Sequence, residues 1–157
     1  MAKARDIEGF AEAGSFAEAA ALAVETRTDE LFSFSEGVLD TSDIERVHDM
    51  RVASRRLRAA LEIFAPCFPK REHKQVLKDV KDLADALGER RDRDVHIAEL
   101  ERISGSLAAE DRAGIGDLIR ALRSEQEGAN VALAEALERM ERDGLRARLL
   151  ALVESAA

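Results

Sequence analysis

Apolar residues recur along this chain at alternating spacings of three and four, the period of helices that each bury one face. The strongest run is Ser42–Phe68, where Val47, Met50, Ser54, Leu57, Leu61, Phe64 and Phe68 line up as one stripe. Ser42 and Glu45 have the S-x-x-E spacing of a capping box and predict its start. An earlier S-x-x-E, Ser15 and Glu18, predicts a preceding helix with Ala17, Ala20, Val24, Leu31 and Phe34 on its apolar side. Gly37 and the polar run Asp40–Asp43 separate the two, a connection short enough to make them antiparallel neighbours. After the turn bracketed by Pro66 and Pro69, Val76, Val80, Leu83 and Leu87 predict a third helix over about Lys70–Leu87. Gly88 reads as a break, followed by a short segment to about Ile103 and a loop at Ser104–Ser106. A long helix over Ala109–Met140 is expected, with Ile115, Leu118, Leu122, Ala129, Leu133, Leu137 and Met140 inward. Asp143 and Gly144 end it, and Leu145, Leu149 and Val153 mark a short last helix. Residues 1–14 are weakly patterned and are expected to be loosely ordered. The fold class is all-α: an antiparallel bundle of about four main helices plus short segments.

Composition sharpens this picture. The 157 residues are 46% hydrophobic but only 4% aromatic, without Trp or Tyr, so the core is Ala, Leu, Val and a few Phe. That suits close helix packing better than a β-sandwich. Cys67 is the single cysteine, which excludes an intrachain disulfide and reads as a small buried hydrophobe beside Phe68. Neither a signal-peptide run nor a stretch of membrane-spanning length is present, so the expected compartment is the cytoplasm, with no membrane partner.

Net charge is −8, which argues against a strongly basic nucleic-acid binder and leaves nucleic acid as a weak competitor only. The distribution is uneven. Arg46–Arg93 holds 13 basic and 8 acidic residues, whereas the remainder holds 11 basic and 24 acidic. A basic centre inside an acidic molecule can focus an anion at one place and repel it elsewhere. Within that centre His48, Arg51, Arg55, Arg58 and Glu62 are three and four apart, beside the apolar stripe and on one side of the helix. Cations so spaced repel one another, and the usual interleaved acidic partners are missing. Arginine forks bidentately onto phosphate or carboxylate oxygens, where lysine acts as a point charge. The row predicts an anion site in preference to a solvated face. Lys74, Lys78 and Lys81 on the next helix are expected to form the opposite wall. Asp79, Asp82 and Asp85 also sit nearby, however, and an exposed flank of paired lysines is the competing reading.

Val47, His48, Arg51, Val52, Arg55, Arg56, Leu57, Arg58, Leu61 and Phe64, followed by Leu87, Gly88, Arg91, Asp92, Asp94 and Val95, resemble the signature of the CHAD domain, the conserved histidine α-helical domain. The resemblance is specific over about Val47–Leu100. It implies a helical domain over 15–157 that binds inorganic polyphosphate through a basic channel, in a family often found beside triphosphate-processing domains or with polyphosphate granules. The expected polyphosphate-binding residues are His48, Arg51, Arg55, Arg56, Arg58, Lys74, Lys78, Lys81 and Arg91; of the three lysines only Lys81 is implied by the resemblance, while Lys74 and Lys78 follow from their spacing on the facing helix. Asp92 is left with two roles, capping a helix or orienting an arginine. The family builds its channel between two similar halves, each with a basic helix. This chain has one H-x-x-R-x-x-x-R-x-x-R row, so the resemblance covers one repeat, half of the two-repeat architecture, and implies a homodimer.

Two other readings compete. A triphosphate- or polyphosphate-processing enzyme needs carboxylates that hold divalent metal, and Asp92 and Asp94 diverge on a helix. His48, His73 and His96 show no metal-ligand spacing with one another. No catalytic residue, metal or cofactor is therefore expected, though the chain could be an accessory subunit of such an enzyme. The remaining reading is a helical scaffold or protein-interaction domain without an anion ligand.

Overall fold

The computed structural model describes residues 3–157, which form five α-helices and no strand. Helix α1 spans Phe16–Ser33, α2 Ile44–Ile63, α3 Lys70–Gly105, α4 Arg112–Arg142 and α5 Leu145–Glu154. Successive long helices run antiparallel. Helix α3 packs on α2 and on α4, while α1 packs on α2 and α5. Among the described residues no helix is long and apolar enough to cross a membrane.

The helix starts differ in how they are capped. Ser15 Oγ accepts the Glu18 amide at 3.1 Å, and Glu18 Oε2 accepts the amide of Gly14 at 2.7 Å, so this capping box is displaced by one residue. The box expected at Ser42 and Glu45 does not form. Ser42 instead turns back and donates its amide and hydroxyl to Asp40 Oδ1, at 2.9 and 2.7 Å, and Asp43 takes the N-cap position. Such local side-chain turns compete directly with caps. The hydroxyl and amide of Ser42 hold the Asp40 carboxyl below the usual carboxylate range. Met1 and Ala2, the start of the segment expected to be loosely ordered, lie outside the described residues. Residues 3–14 carry no helix, yet Arg27 Nη1 donates to the Arg5 carbonyl at 2.9 Å and Ile7 packs against the core.

The α2 stripe lies at the centre. Val47, Met50, Ser54, Leu57 and Leu61 are fully buried, with Phe64, Cys67 and Phe68 closing its end. Ser54 satisfies its hydroxyl on the Arg51 carbonyl at 2.7 Å. His73 seals the α2–α3 turn: its Nε2 meets the Leu61 carbonyl at 2.6 Å, and its ring lies parallel to Phe68.

Helix α3 corrects the expected break at Gly88 and the expected loop at Ser104–Ser106. It runs unbroken for 36 residues through Gly88 to Gly105. A glycine inside a helix costs about 1 kcal/mol relative to alanine. Leu83 and Leu87 before it, and Arg90, Asp94 and Ile97 after it, are buried on either side, so packing outweighs that local preference. Helix α4 likewise crosses Gly114, Gly116 and Gly128 without a break, although Leu118, expected inward, is exposed. Gly144, at φ 62°, supplies the left-handed residue that turns α4 into α5.

The α3–α4 contact is centred on a buried ion pair absent from the sequence reading. Arg90 and Asp94 are both essentially inaccessible, with Nε to Oδ1 at 2.8 Å. Arg90 Nη1 also donates to Asn130 Oδ1 at 2.5 Å, and Gln126 Nε2 donates to Asp94 Oδ1 at 2.6 Å. Asn130 in turn donates to the Leu39 carbonyl at 3.0 Å, joining α4 to the α1–α2 connection. Removing one member of a buried pair leaves the other charge uncompensated, at about 3–5 kcal/mol. Arg90→Met should therefore destabilise the chain by about that amount in urea denaturation, and Arg90→Met with Asp94→Leu should recover much of the loss.

Candidate anion-binding site

The antiparallel arrangement of α2 and α3 fixes which charges can meet. Glu62 near the end of α2 lies beside Lys81, and Glu45 near its start lies beside Arg91. Between these ends, Arg51 rests on α3 at Gly88, where an added Cβ would stand 3.7 Å from Arg51 Nε. Arg51, Arg58, Lys81 and Arg91 thus border one seam, and His48 and Arg55 share the same line of α2 by their spacing.

Both ends of the seam are closed by carboxylates. Arg58 Nε donates to Glu62 Oε1 at 3.1 Å, and Lys81 Nζ stands 3.5 Å from the same oxygen. The Arg58 hydrogen bond, then the charges of Arg58 and Lys81, hold the Glu62 carboxyl below its usual range. Glu62 accordingly stays ionised at neutral pH and occupies two of the expected cations. At the other end Arg91 Nη1 donates to the Ile44 carbonyl at 3.3 Å and stands 3.8 Å from Glu45. Arg51 and Arg55 differ: neither forms an ion pair with any described carboxylate. Arg51 is half-buried and Arg55 exposed.

Other residues of the predicted set point elsewhere. Arg56 faces α1, where its Nη1 binds Glu30 Oε1 at 2.6 Å; Arg27 holds the second oxygen of that fully buried carboxylate at 2.9 Å. Lys78 pairs with Asp82 at 2.7 Å and lines a cleft between α3, α4 and α5 together with Arg139 and Arg148. Asp82 holds the Lys78 ammonium above the usual lysine range. Lys74 borders a separate groove with Ala65, Pro66, Phe68 and Leu77. Asp92 lies mid-helix and exposed, so it caps no helix start, and it forms no hydrogen bond or ion pair among the described residues.

The comparison with protein families matches the CHAD domain over residues 22–157. The chain belongs to the CHAD domain family. No curated protein and no solved structure gave a match. In this CHAD domain the signature residues divide into two groups. Arg51 and Arg55 carry charge without a carboxylate partner, whereas Arg56 and Asp94 serve buried pairs that hold the helices together. The i, i+4 spacing of Arg90 and Asp94 was visible in the sequence as a salt-bridge spacing. Nothing local marked its burial, because Asn130 and Gln126 arrive from α4.

Glu62 is the group whose removal should alter the seam most simply. Glu62→Gln frees Arg58 and Lys81 without touching the core, and isothermal titration with tripolyphosphate as the probe should show severalfold tighter binding than the wild type. Each charge-assisted contact regained contributes about 1.5–3 kcal/mol before the cost of ordering the side chains.

Proposed function

We propose that this CHAD domain binds inorganic polyphosphate, or a similar linear phosphate polyanion, along the α2–α3 seam. The observation that carries this reading is the pair Arg51 and Arg55, two guanidinium groups left without carboxylate partners in a molecule of net charge −8. An acidic chain has ample carboxylate to neutralise them, and most of the surrounding cations are neutralised. Binding is multivalent. His48 to Arg58 spans ten residues, about 15 Å of helix, so a chain of phosphates can engage several cations while orthophosphate engages one or two. Counterion release along the polyanion makes the affinity fall steeply with salt. The chain acts here as a binding module and not as a hydrolase.

Replacing Arg51, Arg55 and Arg58 together by Glu should abolish polyphosphate binding, with far-ultraviolet circular dichroism unchanged because the buried stripe is untouched. Single Ala replacements of Arg51 or Arg55 should each weaken binding by about 1.5–3 kcal/mol. A titration of the triple variant at low and high salt decides the matter: wild-type affinity at low salt would place the site elsewhere.

The single basic row also supports a homodimer, in which a second copy supplies the opposing basic helix through an isologous contact. Two like-charged seams repel until an anion lies between them, so polyphosphate should strengthen the dimer by linkage. Light scattering should then report a rise in molar mass towards twice 17.2 kDa on adding polyphosphate. Tight binding by a persistent monomer would show that one row suffices.

A further inference from the structure

Lys74, expected on the wall of the anion row, borders a different groove, at the turn between α2 and α3. Ala65, Pro66, Phe68 and Leu77 give this groove of about 500 Å³ an apolar floor. Lys70, His73 and Lys74 supply its polar groups. With Leu77 these three recur at i, i+3, i+4 and i+7, one face of the first two turns of α3. We infer that the groove is a binding site for an amphipathic monocarboxylate, its alkyl chain on the apolar floor and its carboxylate between the two lysines and His73. The site does not rest on the phosphate-binding reading.

The two lysines lack the partners that their neighbours have. Of the four lysines of α3, Lys78 and Lys81 reach Asp82 and Glu62, whereas Lys70 and Lys74 form no ion pair with any described carboxylate. They are like charges at i, i+4, which repel. Lys70 is also the first residue of α3, where the helix dipole favours an anion and disfavours a cation. A carboxylate between the two ammonium groups relieves both costs.

His73 points to the same ligand independently. It is only 8% exposed, yet it lines the groove. Its Nε2 is engaged by the Leu61 carbonyl and therefore carries a hydrogen, while Nδ1 has no hydrogen-bond partner among the described residues. Polar groups buried to that degree are normally satisfied. With a proton on each nitrogen the ring donates to Leu61 and to a carboxylate at the same time.

The floor decides the rest of the ligand. Sites for small molecules are concave and largely apolar, about 300–1,000 Å³ in volume, with a few placed polar groups. A concave groove also fits a single chain better than a flat bilayer, and a molecule of net charge −8 is repelled by an anionic surface. A neighbouring apolar groove beyond Pro69, with Val76 and Leu152, is wrong for an anion: its Arg148 is bound to Asp79 at 2.6 Å, and Glu72 adds a carboxylate.

The test titrates the full chain with sodium octanoate and sodium decanoate below their micelle-forming concentrations, with acetate and 1-octanol as controls. Calorimetry reads affinity, and ¹H–¹⁵N correlation of the three histidine rings reads location. One saturable equivalent of decanoate is expected. Two further buried CH₂ groups strengthen binding by up to about fifteenfold, so decanoate should bind about five- to fifteenfold more tightly than octanoate. Acetate, without the chain, and 1-octanol, without the charge, should each bind at least tenfold more weakly than octanoate. Decanoate should shift the ring resonances of His73 and leave those of His48 and His96 in place. Lys70→Gln with Lys74→Gln alters two exposed side chains. Exposed charge pairs contribute up to about fivefold each, so this variant should lose about ten- to twentyfold in decanoate affinity, with circular dichroism unchanged. Absence of saturable binding, 1-octanol binding as tightly as octanoate, or shifts confined to His48 or His96 overturns the site. Sedimentation with vesicles of phosphatidylcholine and phosphatidylserine, lost in the double variant and unaccompanied by saturable decanoate binding, overturns it too and makes this face membrane-directed.

Discussion

Arg90 is the side chain on which the arrangement of the helices depends. Its fully buried guanidinium donates to Asp94 one turn along α3, to Asn130 on α4, and to the Val38 carbonyl at 3.4 Å in the α1–α2 connection. A planar group with five N–H donors can address three directions from one point, which an ammonium cannot. Because the ion is buried, displacement of any one partner exposes a desolvated charge. That constraint fixes α4 against α3 and the connection against both, and through the connection it sets where α2 begins. The position of His48 and Arg51 along α3 follows from it.

A second buried charge does the same work on the other side. Glu30 is fully buried in α1 between Arg27 and Arg56. The α2 helix is therefore held by opposite devices on its two flanks: Arg56 is committed to a carboxylate in α1, while Arg51 and Arg55, facing away, are committed to none. Two neighbouring arginines in the sequence, Arg55 and Arg56, have entirely different duties because they are a hundred degrees apart on the helix.

The helices and the α2 stripe were legible in the sequence because periodicity integrates over many residues. Val47 through Phe68 repeat the same spacing for six turns, and no single substitution obscures it. The row His48, Arg51, Arg55, Arg58 was legible for the same reason, and so was the CHAD family. Gly88 and Ser42 were misread because each was judged by a local preference, a helix-breaking residue and a cap. Packing of Leu87 and Arg90 overrode the first, and the Asp40 carboxylate captured the second. The orientation of Lys78 and the burial of Arg90 depend on residues of α4 and α5, such as Asn130, Arg139 and Arg148, that lie far along the chain. No spacing within α3 encodes those partners.

The long α3–α4 hairpin has a further consequence. Burial ceases at Ile97 on α3 and at Gln126 on α4, and no residue from Ala98 to Glu125 is buried. Beyond the Arg90 network the two helices have only each other. The molecule thus divides into two tiers of local stability: a bundle whose amides open only with global unfolding, and a hairpin tip that can open by itself at much lower free energy. Arg51, Arg55 and Arg58 lie on the bundle, in the rigid tier. Their spacing is set before any ligand arrives, so little ordering entropy remains to be lost by the backbone that carries them.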